Sequence, residues 1–302
     1  MMAGVVKFSH RVEYFLVRTA GFFLSFIPLR MALGLGAILG GTAWMLGIRR
    51  RVSIINISTA FPAKTAAEVN SIGRASYANS GRFMVEFIRQ RSMGKKYFEK
   101  YIKVEKTDAL EKLLSYTGGA IGLTFHYGNW EYYGASGVFL GKEVSFLVGE
   151  QHNSLVDRYI NTLRSSLGPK LLTRDVSMRG IITIARTGGL VCWLSDQDAG
   201  KNGLIVDFFG KPASTPRGAA AFSVKLNMPL TCGFMVRENG PFQKYVVKAF
   251  LMPDGNLPRQ EAELELTQRY TKVLEEMIQE RPDLYWWAHR RWKSTTDMYR
   301  KD

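Results

Sequence analysis

Histidine is scarce in this sequence, with four copies in 302 residues, and His126 sits among residues that could do chemistry. Residues 122–134 read GLTFHYGNWEYYG. An apolar run ends at His126, Tyr127-Gly128-Asn129 supplies turn-forming types, and Glu131 follows His126 with four residues between. On one continuous helix a five-residue offset leaves two side chains roughly 140° apart. With His126 on a loop and Glu131 in the first turn of a helix beginning near Trp130, the chain can bend back so that the carboxylate meets the imidazole. Such a pair fixes the tautomer, stabilises the imidazolium and leaves the other ring nitrogen free to take a proton from a hydroxyl. The bland alternative is a histidine hydrogen-bonded inside a core, and the spacing leaves both readings open. Competing motifs fail: there is no HExxH zinc helix, YGASG lacks the GxSxG spacing, and no GxxxxGK[ST] loop occurs.

The elements that must position these residues are legible from pattern. AIGLTF, EVSFLVG, KLLTR, LVCWLSD, PLTCGFMV and KYVVKAF read as short buried strands. Helices fit between most of them, at residues 130–140, 153–167, 177–186 and 215–227, with a further helix over 261–279. Thr65-Ala-Ala-Glu68 is a capping box that opens a helix to about Arg91, and 108–116 forms a shorter one closed by Gly118 and Gly119. Alternation of this kind predicts an α/β fold, a mostly parallel or mixed central sheet flanked by helices. His126 then lies just past the carboxyl end of a central strand, where open α/β sheets gather their ligands.

The N-terminus is different. Between Thr19 and Ile48 the only charge is Arg30, and Arg49-Arg50-Arg51 follows. About 20 apolar residues suffice to cross a bilayer. The sequence therefore predicts a hydrophobic membrane-anchoring helical segment over residues 1–50 and one catalytic domain over 51–302. Pro28 and Arg30 break the run, so a surface-lying hairpin stands beside a true span, and the arginine triplet puts the following domain on the cytoplasmic side. Gly36 and Gly40 form a GxxxG that permits close helix approach.

A formal net charge of +15 from 41 Lys and Arg against 26 Asp and Glu predicts acidic or anionic partners. Cys192 and Cys232 are the only cysteines, too few for a disulfide framework or a CxxC site.

FHYGNWE resembles the mark of the bacterial lipid A biosynthesis late acyltransferases, a branch of the glycerolipid acyltransferases whose signature is His, four residues, then an acid. The resemblance extends to RRRVSIINISTAFP at 49–62, LSDQDAGKNGLIVDFFGKPASTPRGAAAFS at 194–223 and LYWWAHRRWK at 284–293, in order and over nearly the whole chain. It implies transfer of a fatty acyl group from an acyl carrier protein thioester to a hydroxyl of a lipid A precursor, at the cytoplasmic face of the bacterial inner membrane. No metal or organic cofactor is implied, because a thioester is already activated, and nucleic acid becomes unnecessary as an explanation of the charge. The same chemistry on a lysophospholipid or a mannosylated phosphoinositide, and a noncatalytic basic membrane-surface scaffold, are the alternatives.

Under this resemblance His126 is the general base and Glu131 its orienting partner. Arg164 is the candidate donor to the tetrahedral oxyanion, its alternative being a solvated helix-face arginine. Ser165 stands where the family often carries an acid. Asn129 and the run Asp196, Gln197, Asp198 are candidates to contact substrate, the run having turn capping as its alternative. Thr215 before Pro216 reads as a helix N-cap, with Arg217 in the first turn placed to hold a phosphate. Trp286, Trp287 and Trp292 with Arg290, Arg291 and Lys293 suit either a lipid interface or a basic end whose tryptophans pack on the core.

Overall fold

The computed structural model describes residues 7–149, 151–173 and 177–300. Every apolar run singled out above forms a strand. In chain order the strands are β1 (Ile102–Val104), β2 (Ala120–Thr124), β3 (Val144–Val148), β4 (Lys170–Thr173), β5 (Leu190–Leu194), β6 (Leu204–Phe208), β7 (Lys211–Thr215), β8 (Leu230–Asn239) and β9 (Phe242–Leu251). Seven of them build one mixed sheet in the order β1-β9-β8-β2-β5-β3-β4, in which only β8 and β9 pair antiparallel.

β6 and β7 form a separate hairpin that pattern reading did not find. Its two-residue turn, Phe209-Gly210, has positive φ at both positions, 53° and 71°. That is the geometry favoured between twisted antiparallel strands. Thr215 consequently ends a strand, and the predicted helix start at that residue moves three positions on.

The helices are α1 (Phe8–Phe26), α2 (Leu29–Met45), α3 (Arg50–Ala60), α4 (Ala66–Ile88), α5 (Lys95–Tyr101), α6 (Asp108–Ser115), α7 (Trp130–Ser136), α8 (Ser154–Ser165), α9 (Ser177–Thr187), α10 (Gly218–Leu226) and α11 (Arg259–Glu280). The capping box holds: Thr65 Oγ1 accepts from the Glu68 amide at 3.3 Å and Glu68 Oε2 from the Thr65 amide at 2.8 Å. Both faces of the sheet are covered. Ile121, Leu123 and Phe125 join one buried cluster with Ile181, Leu230 and Tyr270, while Ala120 joins another with Tyr132, Val144 and Phe146. A sheet buried on both sides explains why its strands read as continuous apolar runs and not as alternating ones.

The N-terminal apolar run is two helices broken at Ile27-Pro28, where proline cannot donate a backbone hydrogen bond. Among the described residues no single helix is long and apolar enough to cross a membrane; α2 and α3 pass together by length and composition but are bent by 92°. α2 instead lies along α4. A Cβ added at Gly36 would come 2.6 Å from the Gly81 carbonyl oxygen, and those at Gly40 and Gly81 would meet backbone inside contact distance. The GxxxG pattern thus serves packing of α2 on α4. Gly81→Val is expected to lever the two helices apart at a cost of about 1–3 kcal/mol, read as a lower urea midpoint at constant m.

The outward faces of α1 and α2 are strongly apolar. Phe15, Phe22, Phe23, Phe26, Ile38 and Leu39 are each 58–72% exposed.

Candidate active site

The site follows from strand register. β2 and β5 are parallel neighbours in which Thr124 pairs with Leu194. His126 and Asp196 each stand two residues beyond that pair, so the two chains deliver them side by side. The place is also a switch point: the chain leaves β5 on one side of β2 and returns as β8 on the other.

His126 Nδ1 lies 2.8 Å from Asp196 Oδ1, and the His126 backbone N–H donates to Asp196 Oδ2 at 3.0 Å. One carboxylate therefore grips both the ring and the main chain of the histidine. Because the carboxylate only accepts, the ring proton sits on Nδ1 and Nε2 presents a lone pair. Gln197 Nε2 lies 3.2 Å from that Nε2 and donates to it. Burial by itself pushes the His126 pKa down; the charge and hydrogen bond of Asp196, with the Glu131 carboxylate behind them, outweigh it and hold the pKa above its ordinary value. Burial likewise pushes Asp196 up, and its bonds to His126 bring it below the usual carboxylate range.

The turn after His126 is fixed by backbone contacts from the far end of the chain. Gly128 adopts φ +57°, and its bare Cα permits the Met235 carbonyl to sit where a Cβ would be. Its N–H donates to the Leu284 carbonyl at 2.9 Å, and the Trp286 N–H donates to the His126 carbonyl at 2.8 Å.

Glu131 does not brace His126. Both its oxygens accept from Arg164: Nη2 at 2.6 Å from Oε1, and Nε at 3.1 and 3.0 Å from Oε1 and Oε2. The orienting carboxylate is thus Asp196 and not the expected Glu131, which acts on the ring only through space. The reason is geometric. Asn129 caps α7 by accepting from the Tyr132 N–H at 3.0 Å, which starts the helix at Trp130 and directs Glu131 toward α8. Arg164 is correspondingly held by Glu131. It lines a pocket of 40 Å³ with Thr124, Trp130 and Glu131, apart from the cavity that reaches His126.

That second cavity is an apolar groove of 660 Å³ between α1, α2 and α4. Leu24, Leu39, Met84 and Ile88 line its length, and His126, Trp130 and Gln197 line it where the chemistry would be. Trp130 stacks on Phe83 at 3.8 Å between ring centroids and approaches the His126 ring at 5.0 Å. Among the described residues Arg49 is the one Lys or Arg on its wall, and its Nη1 donates to the Ala288 carbonyl at 3.0 Å.

The site is thus a lone-pair nitrogen braced by a buried carboxylate and opening on an apolar groove. The model of the family described as bacterial lipid A biosynthesis acyltransferase matches residues 1–294. The chain belongs to this family. It is 23% identical over 253 residues to the lipid A biosynthesis palmitoleoyltransferase of Escherichia coli K12, covering 82% of this chain and 80% of that one. It is 25% identical over 181 residues to the lipid A biosynthesis myristoyltransferase of the same organism, covering 59% and 56%. It is 27% identical over 203 residues to a phosphatidylinositol mannoside acyltransferase of Mycobacterium tuberculosis, covering 63% of each chain, so the match spans less than two thirds of that relative.

The remaining positions singled out in this family member divide between site and scaffold. Asn129 is buried, its Nδ2 donating to Glu86 at 2.8 Å, and it does not line the groove, so it builds the turn and does not take the expected place against substrate. Asp198 caps the turn, accepting from Ser294 Oγ at 2.6 Å and from the Gly200 N–H at 3.2 Å. Its own N–H donates to His289 Nε2 at 3.0 Å. Thr215 is buried and takes a hydrogen bond from Arg291 at 2.5 Å, which leaves it neither a helix cap nor a substrate contact. Arg217 pairs with the buried Glu263 at 2.5 Å, so an anion would have to compete with a carboxylate already there.

Trp287 and Trp292 lie in the core, and Arg291 is 2% exposed over the Phe208 ring, so these three take the packing reading. Trp286 alone of the three tryptophans lines the groove. Sequence reasoning missed the buried carboxylate Glu86, which accepts from Asn129, from Arg237 at 2.5 Å and from Gln243 at 3.0 Å. The signal was present: an acid inside the apolar run FMVEFI on the core side of α4.

Proposed function

We propose that this chain is a membrane-attached O-acyltransferase that moves a fatty acyl group from an acyl carrier protein thioester to a hydroxyl of a lipid A-type glycolipid, with His126 as general base. The observation that carries the reading is the braced Nε2 of His126 on the wall of the 660 Å³ apolar groove. The groove takes the acyl chain. The acceptor hydroxyl replaces the Gln197 amide at Nε2, gives its proton to the ring and attacks the thioester carbonyl; collapse of the tetrahedral intermediate expels the thiolate, which takes up the proton from the imidazolium. Asp196 holds the ring through both steps as a positioning residue. The displaced Gln197 amide, 3.2 Å from Nε2 before substrate enters, is the donor proposed for the oxyanion, a role the sequence reading gave to Arg164. The Glu131–Arg164 pair clamps α7 to α8 behind the site.

Attachment is through the exposed apolar faces of α1 and α2, lying in the bilayer surface as a hairpin. The basic segment that follows supports a seat at the cytoplasmic face of the inner membrane. A phosphoinositide mannoside acceptor is the second reading, favoured by the likeness to the mycobacterial relatives.

Mass spectrometry of lipids from cells with and without the chain tests the proposal. One acyl ester per acceptor molecule is expected to disappear with the chain, and the identity of that lipid separates the two readings. Lipids unchanged in the cell, together with no transfer by the purified chain, would leave only a scaffold role. The groove makes a further prediction. Met84→Trp fills part of it, and each methylene denied burial costs about 0.8 kcal/mol, so losing room for two shifts the preference toward shorter chains by about fifteenfold. The product chain-length profile reads this directly.

A further inference from the structure

α4 has a second working face. It presents Tyr77, Gly81, Met84 and Ile88 to the groove, and at helical spacing around the cylinder it presents Ser71, Arg74, Ala78 and Arg82 to a separate cavity of 650 Å³. Five guanidinium groups line this cavity: Arg30 from α2, Arg74 and Arg82 from α4, and Arg237 and Arg281. Two are neutralised within the protein, Arg237 by Glu86 and Arg281 by Asp283. Arg30, Arg74 and Arg82 have no carboxylate within 4.0 Å among the described residues, and Arg82 bonds only the neutral Asn79 oxygen at 3.0 Å. The two acids on the wall are already engaged, Glu238 by Lys244 at 2.8 Å and Asp283 by Arg281 at 2.8 Å. Three cations without a paired carboxylate are therefore held together at one opening. Alongside them α2 exposes Met31, Leu35 and Ile38.

We propose that this cavity binds the phosphate of an anionic membrane phospholipid, whose acyl tails run along the exposed apolar face of α2. The proposal rests on the membrane attachment argued above and adds a lipid site separate from the reaction groove. The chemistry is that of guanidinium on phosphate, charge-assisted and multidentate. An acidic protein would meet apolar side chains at the rim of the cavity, whereas a lipid supplies both halves of the match. Arg30 is then explained: it is the one charge in an otherwise apolar stretch, placed where a helix lying in the interface meets headgroups.

The test uses the full chain and phosphatidylcholine vesicles with and without phosphatidylglycerol, at constant ionic strength. Wild type is expected to prefer the anionic vesicles by about tenfold or more. R30Q/R74Q/R82Q should lose that preference, while K201Q/K211Q/K225Q, equal in charge but on exposed positions away from the cavity, should keep it. R74E, a reversal at an exposed position, repeats the loss should the triple variant fold poorly. A control triple variant that loses as much, or displacement by millimolar inorganic phosphate alone, overturns the site. So does unchanged vesicle binding by R30Q/R74Q/R82Q accompanied by a raised KM for the acidic carrier protein. A wild-type chain that binds neither kind of vesicle overturns the membrane reading and this proposal with it; one that binds both alike overturns this proposal alone.

Discussion

His126→Ala lowers acyl transfer by about 10²–10⁴-fold, the contribution of a positioned general base, and Asp196→Asn lowers it within the same range. The second variant is the sharper test, because asparagine keeps the shape of the side chain and can still accept from the His126 N–H. What it removes is the charge that holds the ring proton on Nδ1 and raises the imidazole pKa. The sign of the pH effect follows. The base acts when neutral, so wild-type activity rises with pH through a pKa above the ordinary histidine value of about 6.5. In Asp196→Asn the remaining activity rises at lower pH, since the charge that raised the pKa is gone. The acid limb of kcat/KM measures this in the free enzyme. Full transfer by a folded His126→Ala chain would end the catalytic claim, and an acid limb that stays put in Asp196→Asn would mean the carboxylate does not set the base.

How this pair was half visible in the sequence is instructive. His126 and the elements flanking it are local: an apolar run, a turn, then a helix. Asp196 is 70 residues further on, and only the parallel register of β2 with β5 brings it to the ring. Register between strands separated by three helices and two other strands is not written in any short window. Glu131 drew the orienting role because it is close in sequence, yet the helix cap at Asn129 turns it toward Arg164. Thr215 failed for a related reason: Thr-Pro is a good helix opening, but the pairing of KPAST with LIVDF across the Phe209-Gly210 turn commits that threonine to a hairpin. The tryptophans near the C-terminus show the limit of composition. Their residue types suit a membrane interface and a core equally, and only packing against Phe61, Phe208 and Tyr285 decides for Trp287 and Trp292.

Glu86→Ala is expected to cost about 3–5 kcal/mol of stability, the range for stranding one partner of a buried ion pair. Glu86 is fully buried, and it neutralises Arg237, whose side chain is 6% exposed. It also receives Asn129 and Gln243, so its removal leaves donors from three elements without an acceptor. Against a total of about 5–15 kcal/mol for a folded domain, the loss is a large share. It should appear as a lower urea midpoint with m unchanged. Because Asn129 caps the helix that follows His126, the residual folded enzyme should also lose kcat more than it gains KM, as expected when a base is displaced and substrate binding is left intact. The double variant Glu86→Leu, Arg237→Met separates charge from packing: removing both charges should recover much of the stability, since replacing a whole buried pair by apolar groups is often close to neutral. The cap remains deprived of its acceptor in that background, so kcat should stay low while the midpoint recovers. Recovery of both together would assign the turn's position to packing around α4 and not to the hydrogen bond from Asn129.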